Sequence, residues 1–293
     1  MYLYEDVRHG SPGFPLGIHR VEELQGFRLY PHIHEEFEFL VLTQGRGSIY
    51  IDGAAYSLTA GEGVFIPSRS IHLGKPEDSH PAAFFAIVFS PRMLSEGVAD
   101  AISHRYVDPV LHGGLKLPVR YSPEIPWQQA ALDAAQEVET LEQESPPCKE
   151  LLIKAALLRL WAVLCAHGES TAHETDGGRL DEIRQALEYI DREYASPLTL
   201  GELARQAHMS ESHFSRCFSA ATHMSPFAYL QQVRIQKSCQ NLRQGTMPVS
   251  RVALACGFND FSYYSKRFRE MVGCTPSEYR KRCQEELSEP SVK

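Results

Sequence analysis

The sequence predicts an α+β multidomain fold: an N-terminal β-barrel or β-sandwich, then two helices, then an all-α C-terminal domain. Short apolar runs bounded by Gly, Pro and Ser fill residues 27–90, and the apolar period becomes helical from Pro126. A helical pattern then occurs twice, with equivalent positions about 50 residues apart, as at Phe218 and Phe268. The expected segments are 1–120 (barrel with an N-terminal arm), 121–167 (helical packing or dimerisation segment), 168–179 (flexible linker), 180–283 (helical domain) and 284–293 (polar tail).

The composition is that of a soluble globular protein, which excludes disordered and fibrous classes: 43% of the 293 residues are hydrophobic and 23% are charged. No apolar run approaches the roughly 20 residues that span a bilayer, and the first residues lack the pattern of a signal peptide. The seven cysteines are scattered and never form a Cys-x-x-Cys pair, unlike a disulfide framework or a zinc site. We therefore expect a cytoplasmic protein with reduced, structural cysteines and no membrane partner.

The net charge of −8 hides an asymmetry along the chain. Residues 1–179 carry 14 Lys and Arg against 24 Asp and Glu, whereas residues 180–283 carry 14 against 10. The basic excess thus lies on the repeated helical segment. Such an asymmetry indicates a nucleic-acid-binding module attached to a second domain.

The N-terminal segment predicts several short strands, at 37–43, 48–51, 55–58, 63–67 and 83–89. Asp52-Gly53 lies between two of them and predicts a tight hairpin turn, because both turn positions need a positive φ. Strands at this spacing are typical of a β-sandwich or barrel.

Two amphipathic helices are predicted next, at 127–144 and 149–167. The second carries a broad apolar surface, formed by Leu152, Ala156, Leu157, Leu160, Trp161, Leu164 and Cys165. Two interpretations of this surface are open, and both can hold. It packs against the barrel of its own chain, or it forms the seam of a homodimer.

The first helical unit, 199–221, has the pattern of a helix-turn-helix. Thr199 and Glu202 fit a capping box at the start of its first helix, and Ser210 can cap the second helix. The predicted buried face of that second helix consists of Phe214, Cys217, Phe218 and Ala221. Its opposite face has short polar groups around one arginine, which suits close approach to base edges in DNA. The members of that face are Ser212, Ser215, Arg216 and Ser219.

The second unit, 248–271, repeats this arrangement with other side chains. Pro248 suits a helix start, Gly257 lies where a turn needs a positive φ, and Asp260 can cap the final helix. The predicted buried stripe is Phe261, Tyr264, Phe268 and Met271, and the outward residues are Ser262, Tyr263, Ser265, Lys266 and, at the margin, Arg267. Two such units on one rigid helix can read two major-groove segments about 34 Å apart. The alternative is an all-helical interaction module whose exposed polar residues are only solvated.

Residues 181–282 resemble the AraC/XylS family of bacterial transcription regulators. The matching positions are Ala253, Gly257, Phe258, Ser262, Tyr264, Ser265, Lys266, Phe268, Gly273, Thr275, Pro276, Tyr279 and Arg280. The resemblance implies recognition helices at 210–221 and 260–271. Their implied base-contacting positions are Ser212, Ser215, Arg216, Phe261, Ser262, Tyr263, Ser265 and Lys266. One departure is His208, which stands in the first turn where many relatives carry glycine.

The barrel segment resembles the cupin family, a common sensor domain of such regulators. Gly26-x5-His32-x-His34-x3-Glu38-x6-Gly45 fits the first cupin motif. Gly61-x5-Pro67 followed by His72 resembles the second, with Arg69 in place of its usual glycine and Pro76 in place of its usual asparagine.

The cupin-like histidines leave three interpretations open: a metal site, an organic effector pocket, or a purely structural role. His-x-His on a strand points both imidazoles to one face, and Glu38 with His72 can complete a metal site. Sensor barrels of this kind commonly keep the pattern without a metal, so we predict a pocket for a sugar or other polar metabolite, with no metal and no cofactor. The predicted effector-binding residues are His32, His34, Glu38, Arg46, Tyr50 and His72.

These observations together predict a sequence-specific transcription regulator, an activator rather than a repressor, with no enzymatic activity. Its expected partners are double-stranded promoter DNA, a small-molecule effector, RNA polymerase and a second copy of the chain. One alternative is a metal-dependent cupin oxygenase or isomerase with an attached helical interaction domain. Another is a regulator that senses no effector and is set by its abundance.

Overall fold

The computed structural model describes residues 10–11, 13–23, 26–95, 100–171, 178–243, 245 and 247–288. The chain divides between residues 177 and 178 into two compact units, an N-terminal β-rich unit and a C-terminal helical unit. Within the described ranges, no helix combines the length and apolar character needed to cross a bilayer.

Two antiparallel sheets form the barrel of the N-terminal unit. Their strands are β1 (Leu16–Glu23), β2 (Leu29–His32), β3 (Phe37–Gln44), β4 (Arg46–Ile51), β5 (Ala54–Thr59), β6 (Gly63–Ile66), β7 (His72–Pro76), β8 (Ala82–Phe89) and β10 (Arg120–Tyr121). A further short strand, β9 (Leu115–Lys116), belongs to neither of these sheets. One sheet has the order β1-β8-β3-β6-β10, and the other has the order β2-β7-β4-β5. The predicted strands are therefore present, and β3 is the central strand of the larger sheet.

Strand β3 is buried on both faces because the two sides of its sheet meet different partners. Phe37, Phe39 and Val41 pack with residues of the helical segment, whereas Leu40 and Leu42 pack in the space between the two sheets. Side chains alternate across a strand, so Glu38 shares the face of Leu40 and Leu42. The pairing of Glu38 with Ile66 and Val88, which both lie between the sheets, agrees with this placement.

The hairpin between β4 and β5 turns at Asp52 and Gly53, as predicted. Their φ values are 49° and 86°, so both turn residues adopt the left-handed conformation. The register pairs Ile51 with Ala54 directly across the turn.

The helical segment covers the outer face of the larger sheet. It consists of a 3-10 turn (Pro91–Met93), a π-helical turn (Ser103–Val107) and the helices α1 (Asp108–Leu111), α2 (Pro126–Glu144) and α3 (Lys149–Ala166). Leu157, Leu160, Trp161 and Leu164 of α3 are all buried in one cluster with Phe37 of β3. The predicted packing of this helix on its own barrel is confirmed, although Leu152 remains 41% exposed.

The predicted linker at 168–179 is ordered at both of its described ends. Glu169 and Ser170 form a short strand, β11 (Glu169–Ser170), that pairs with β9. Thr171 also donates its hydroxyl to the carbonyl of Gly113. Residues 178 and 179 already belong to the next helix, and residues 172–177 lie outside the described ranges. Backbone pairing with β9 explains why residues without hydrophobic periodicity are held.

The C-terminal unit contains seven helices in its described part. They are α4 (Gly178–Glu193), α5 (Leu200–Gln206), α6 (Glu211–Thr222), α7 (Pro226–Arg243), α8 (Val249–Ala255), α9 (Phe261–Val272) and α10 (Pro276–Ser288). Pairs α5–α6 and α8–α9 are the two predicted helix-turn-helix units, and α7 connects them in the chain. Helix α10 extends into the segment predicted as a polar tail, of which residues 289–293 lie outside the described ranges.

Candidate functional site

Three histidines and one glutamate meet at one end of the space between the two barrel sheets. His32 and His72 face each other as paired residues of β2 and β7, and His72 also pairs with Ile51 of β4. Glu38 reaches the same space from β3 in the opposite sheet, and His34 comes from the connection between β2 and β3. The potential ligand atoms of these four side chains all lie within 4.8 Å of one another. We call these four residues the histidine cluster.

Backbone carbonyls orient every ring of the histidine cluster. His32 Nδ1 lies 2.8 Å from Tyr30 O, and His34 Nδ1 lies 3.1 Å from Glu36 O. His72 Nδ1 lies 2.9 Å from Ser70 O. A carbonyl oxygen only accepts hydrogen bonds, so each Nδ1 carries the proton and each Nε2 turns toward the cluster. This arrangement fixes the ring tautomers from outside the cluster.

The pKa values of the cluster follow from burial and from close pairing. Burial alone would raise the pKa of Glu38, but its contacts with His34 and His72 outweigh burial and hold that pKa well below its usual range. Burial would lower the pKa of His34, yet the hydrogen bond and charge of Glu38 raise it. Burial, together with the nearby rings of His72 and His34, lowers the pKa of His32 well below its usual value. Burial and close pairing thus favour the ionised form of Glu38 and the protonated form of His34, and they disfavour protonation of His32.

Arg69 stands where the cupin motif has glycine, and its backbone adopts the conformation that glycine favours, with φ 61°. The loop is held in this shape because Arg69 N donates to His34 O at 2.8 Å and its guanidinium pairs with Glu35 at 3.0 Å. The departure from the motif therefore leaves the loop beside the histidine cluster intact.

Two of the predicted effector-binding residues lie away from the histidine cluster. Ile49 and Ile51 of β4 occupy the space between the sheets, so Arg46 and Tyr50 belong to the opposite face of the strand. Arg46 pairs with Asp78 at 2.5 Å, and Lys75 lies over the ring of Tyr50 at 4.8 Å from its centroid. The structure brings together His32, His34, Glu38 and His72 and leaves Arg46 and Tyr50 outside.

The helix predicted to be the first recognition helix is α6, and its buried and exposed faces agree with the prediction except at Cys217. Phe214, Phe218 and Ala221 are buried, while Cys217 is partly exposed. On the other face Ser212 and Arg216 are exposed, and Ser215 and Ser219 are partly exposed. The predicted capping box of α5 is present, with Glu202 N donating to the Thr199 hydroxyl at 3.2 Å. Ser210 occupies the N-cap of α6, but its hydroxyl makes no capping hydrogen bond to the described residues.

The helix predicted to be the second recognition helix is α9, and it is capped by Asp260, whose carboxylate accepts a hydrogen bond from Tyr263 N at 2.8 Å. Tyr264 and Phe268 are fully buried, and the outward residues Ser262, Tyr263 and Lys266 are exposed, whereas Ser265 is partly exposed. Phe261 was expected in the buried stripe, yet it is 49% exposed, because it is the first residue of the helix and lies beyond the core. Arg267 is held by Glu270 at 2.6 Å, one turn along the helix.

Sequence analysis missed Arg234, a buried residue of α7 that supports the second unit. Its Nε donates to Tyr194 O at 2.8 Å and one terminal nitrogen donates to Ser196 O at 2.9 Å, just after the end of α4. The same guanidinium lies against the turn at Gly257. An arginine in the buried stretch of a helix was the available signal, because such a charge is rarely buried without partners.

Comparison with known proteins agrees with this architecture. The sequence profile described as AraC-like ligand binding domain matches residues 19–187, and a helix-turn-helix domain profile matches residues 203–282. The uncharacterized HTH-type transcriptional regulator YdeC of Bacillus subtilis is 24% identical over 283 residues, which are 95% of this chain and 96% of that protein. The HTH-type transcriptional activator RhaR of Mannheimia succiniciproducens is 25% identical over 277 residues, 94% of this chain and 90% of that protein.

Among solved structures, fatty-acid-bound ToxT from Vibrio cholerae covers 90% of this chain and 94% of its own, with a TM-score of 0.45 and 11% identity. The AraC-like profile alone spans more than half of the present chain, and the helix-turn-helix profile covers both predicted recognition helices. The chain therefore belongs to the AraC/XylS family, as a DNA-binding transcription regulator that responds to an effector through its N-terminal ligand-binding domain.

Proposed function

We propose that α6 and α9 read two different half-motifs of one asymmetric promoter site, under the control of an effector bound at the histidine cluster. The observation that carries the DNA part is the division of faces on the two helices. Phe218 and Phe268 are equivalent, fully buried anchors. The exposed faces differ, with serines and Arg216 on α6 against aromatic side chains, serines and Lys266 on α9.

The chemistry of the two faces supports base recognition rather than simple solvation. Arg216 is exposed on a helix whose neighbouring side chains are short, so its guanidinium can reach a guanine edge with two hydrogen bonds. On α9, Phe261 and Tyr263 are 49% and 47% exposed, which suits apolar contact with thymine methyl groups. The proposed DNA-contacting residues are Ser212, Ser215, Arg216, Ser219, Phe261, Ser262, Tyr263, Ser265, Lys266 and Arg267.

The effector part is supported by the location of the histidine cluster. It places polar groups inside a space that is otherwise lined by apolar side chains such as Leu40, Ile51 and Ile66. Control of transcription requires the effector to bind two states of the regulator with different affinity, which couples the barrel to DNA binding. The metal-dependent enzyme considered from sequence is not favoured, since the related proteins named above are transcription regulators.

We further propose a cytoplasmic, non-enzymatic activator that acts on RNA polymerase as a homodimer. The name of the relative RhaR, a transcriptional activator, supports the direction of control. Leu151 and Leu152, at the start of α3, are 69% and 41% exposed and supply apolar surface for a seam between two copies.

The test of DNA recognition is the substitution Arg216→Ala, with Arg192→Ala as its control. Both remove one exposed arginine from the helical unit, but Arg192 lies on α4, outside both recognition helices. We expect Arg216→Ala to weaken binding to a duplex selected with this chain from a random pool by about 1–3 kcal/mol. If Arg216→Ala bound both the selected and the random duplexes as tightly as wild type does, the proposal would be contradicted.

A further inference from the structure

Arg234 is a cation held inside the C-terminal unit, in the middle of α7. The residue is only 9% exposed, so its charge is not available to a DNA phosphate. Its Nε donates to Tyr194 O at 2.8 Å, and one terminal nitrogen donates to Ser196 O at 2.9 Å. Both carbonyls lie just after the end of α4. Because a buried charge is costly unless it is hydrogen-bonded, these two bonds fix the guanidinium to the end of α4.

The guanidinium also forms a wall of the turn between α8 and α9. Gly257 has φ 81°, and a Cβ atom built on it would lie 2.9 Å from Arg234 Nε and 3.0 Å from Arg234 Cζ. The turn is also closed onto α8, since Gly257 N donates to Leu254 O at 3.0 Å. Phe258 N likewise donates to Ala253 O at 3.0 Å. Helix α9 follows directly after this turn, so the position of the turn sets the direction in which α9 leaves it.

Phe258 connects Arg234 with the outward face of α9. Its ring is buried, and Arg234 Cζ lies 6.0 Å from the ring centroid. The same ring lies 5.0 Å from the ring of Tyr264, the buried anchor of α9, and 6.4 Å from the ring of Tyr263. Burial lowers the pKa of Arg234, and the nearby side chains of Cys256 and Tyr263 oppose that change. Arg234 and Phe258 thus lie behind Tyr263, a proposed DNA contact that is 47% exposed.

The first helix-turn-helix unit is built differently at this point. His208 occupies the turn position equivalent to Gly257, and its side chain is exposed. A side chain fits at that turn because it lies in solvent, whereas the space at Gly257 is filled by Arg234. A change at Arg234 therefore acts on the turn before α9 and leaves the turn before α6 as it is.

We propose that Arg234 is a positioning residue for DNA reading, which sets base preference in the α9 half of the site without touching DNA itself. This inference rests on the proposed function, because it assigns a residue that acts on the same base-reading surface. Arg234 holds the Gly257 turn against the end of α4, and through Phe258 it fixes the place from which Tyr263 meets the groove. Base readout depends on such placement, because hydrogen bonds and methyl contacts in the groove form only over short distances.

Lysine cannot replace arginine in this role. The guanidinium is planar and carries several donors, so one side chain bonds two carbonyls and also lies against Gly257. A lysine ammonium keeps the positive charge, but a single nitrogen cannot span both carbonyls and contact the turn. Arg234→Lys therefore tests the position of the turn rather than the presence of the charge.

Lys237 supplies the matched control, because it is a second buried cation that joins α7 to α4. It is 7% exposed, and its Nζ lies 3.1 Å from Asp191 Oδ1. The atoms nearest to a Cβ built on Gly257 belong to Ala195 and Arg234, and Lys237 is not among them. Lys237→Met thus removes a buried link between the same two helices and leaves the support of the turn in place.

The experiment selects duplexes from a random pool with the full wild-type chain and with each full-length variant. Positions whose base preference changes on Lys266→Ala define the α9 half of the site, and those that change on Arg216→Ala define the α6 half. We expect Arg234→Lys to lower preference in the α9 half at least about 5-fold, the lower end of what one good base contact discriminates. Preference in the α6 half and affinity for random duplexes should stay as in wild type. Lys237→Met should keep the preference of both halves.

Unchanged preference in the α9 half for Arg234→Lys overturns the proposal. An equal loss in both halves, or the same loss by Lys237→Met, also overturns it, because either result would show general destabilisation. Phe258→Leu tests the same path without altering a buried charge, and it decides the question if Arg234→Lys does not fold. It should lower preference in the α9 half alone, and wild-type preference in that variant contradicts the proposal.

The same selections separate failure of this inference from failure of the proposed function. If Lys266→Ala changes preference while Arg234→Lys and Phe258→Leu do not, the positioning role of Arg234 fails and the proposed function stands. If neither Arg216→Ala nor Lys266→Ala alters any preference, the proposed function fails and this inference fails with it.

Discussion

The turn residue Gly257 lies directly against the guanidinium of Arg234, so that a Cβ atom built on Gly257 would lie 2.9 Å from Arg234 Nε. Arg234 in turn donates to the carbonyls of Tyr194 and Ser196, just beyond the end of α4. One buried guanidinium thus joins α4, α7 and the turn of the second helix-turn-helix unit. The positive charge also suits the carboxyl end of α4, where the helix dipole is negative.

This contact predicts that Gly257→Ala destabilises the helical unit by about 2–4 kcal/mol. The left-handed backbone, with φ 81°, disfavours any side chain, and the new Cβ would lie 2.8 Å from Ala195 O. Gly273→Ala is the matched control, since Gly273 has φ 83° but no atom of the described chain within 4 Å of a built Cβ. That control should lose only about 1 kcal/mol. Chemical denaturation of both variants measures the difference, and equal losses would show that the contact with Arg234 is unimportant.

The first unit has His208 at the equivalent turn, with φ 49°, so His208→Gly should stabilise it. His208 is exposed, and glycine adopts the left-handed region without the cost of a Cβ atom. We expect a gain of about 0.5–1 kcal/mol in the free energy of unfolding. His208→Ala keeps the Cβ atom and should give no gain, which separates the backbone effect from loss of the imidazole.

Features set by neighbouring residues could be predicted from the sequence. The Asp52-Gly53 turn and the Thr199–Glu202 capping box depend only on local backbone needs, and both are present. The face of β4 that meets the interior could not be predicted. It depends on register, and a shift of one residue exchanges Ile49 and Ile51 for Tyr50. Arg234 was missed for a similar reason, because its partners lie 38 and 40 residues away in the chain.

The caps of the two recognition helices should respond differently to substitution. Asp260 accepts a hydrogen bond from Tyr263 N, so Asp260→Ala should cost about 0.5–2 kcal/mol of stability. Ser210 holds the same position on α6 without such a bond to the described residues, so Ser210→Ala should be nearly neutral. Thermal unfolding of the two variants compares them, and a larger loss for Ser210→Ala would contradict the assigned capping geometry.

Thiol labelling near pH 8 should distinguish the cysteines. Cys148 is exposed and should react fast, while burial raises the pKa of Cys239 to about 12 and that of Cys256 to about 11. In the unfolded chain these thiols ionise near pH 8.5, about the usual value. The folded state keeps the thiol protons of Cys239 and Cys256 to a higher pH than the unfolded chain does. The stability that these two protonated thiols contribute is therefore complete below about pH 8.5 and falls as the pH rises toward 11. Fast labelling of Cys239 or Cys256, located by mass spectrometry of the labelled peptides, would contradict this assignment.

If α6 and α9 read different half-motifs, a substitution on either helix should reduce base preference in only one half of the DNA site. Arg216→Ala should relax preference at positions read by α6, while leaving those read by α9 unchanged, because each helix reads its own groove segment. Lys266→Ala, at an exposed position of α9, should affect only the other half. Selection from a random duplex pool with each variant gives the two preference profiles directly. Loss of preference in the same half by both variants would mean that the two units do not divide the site between them.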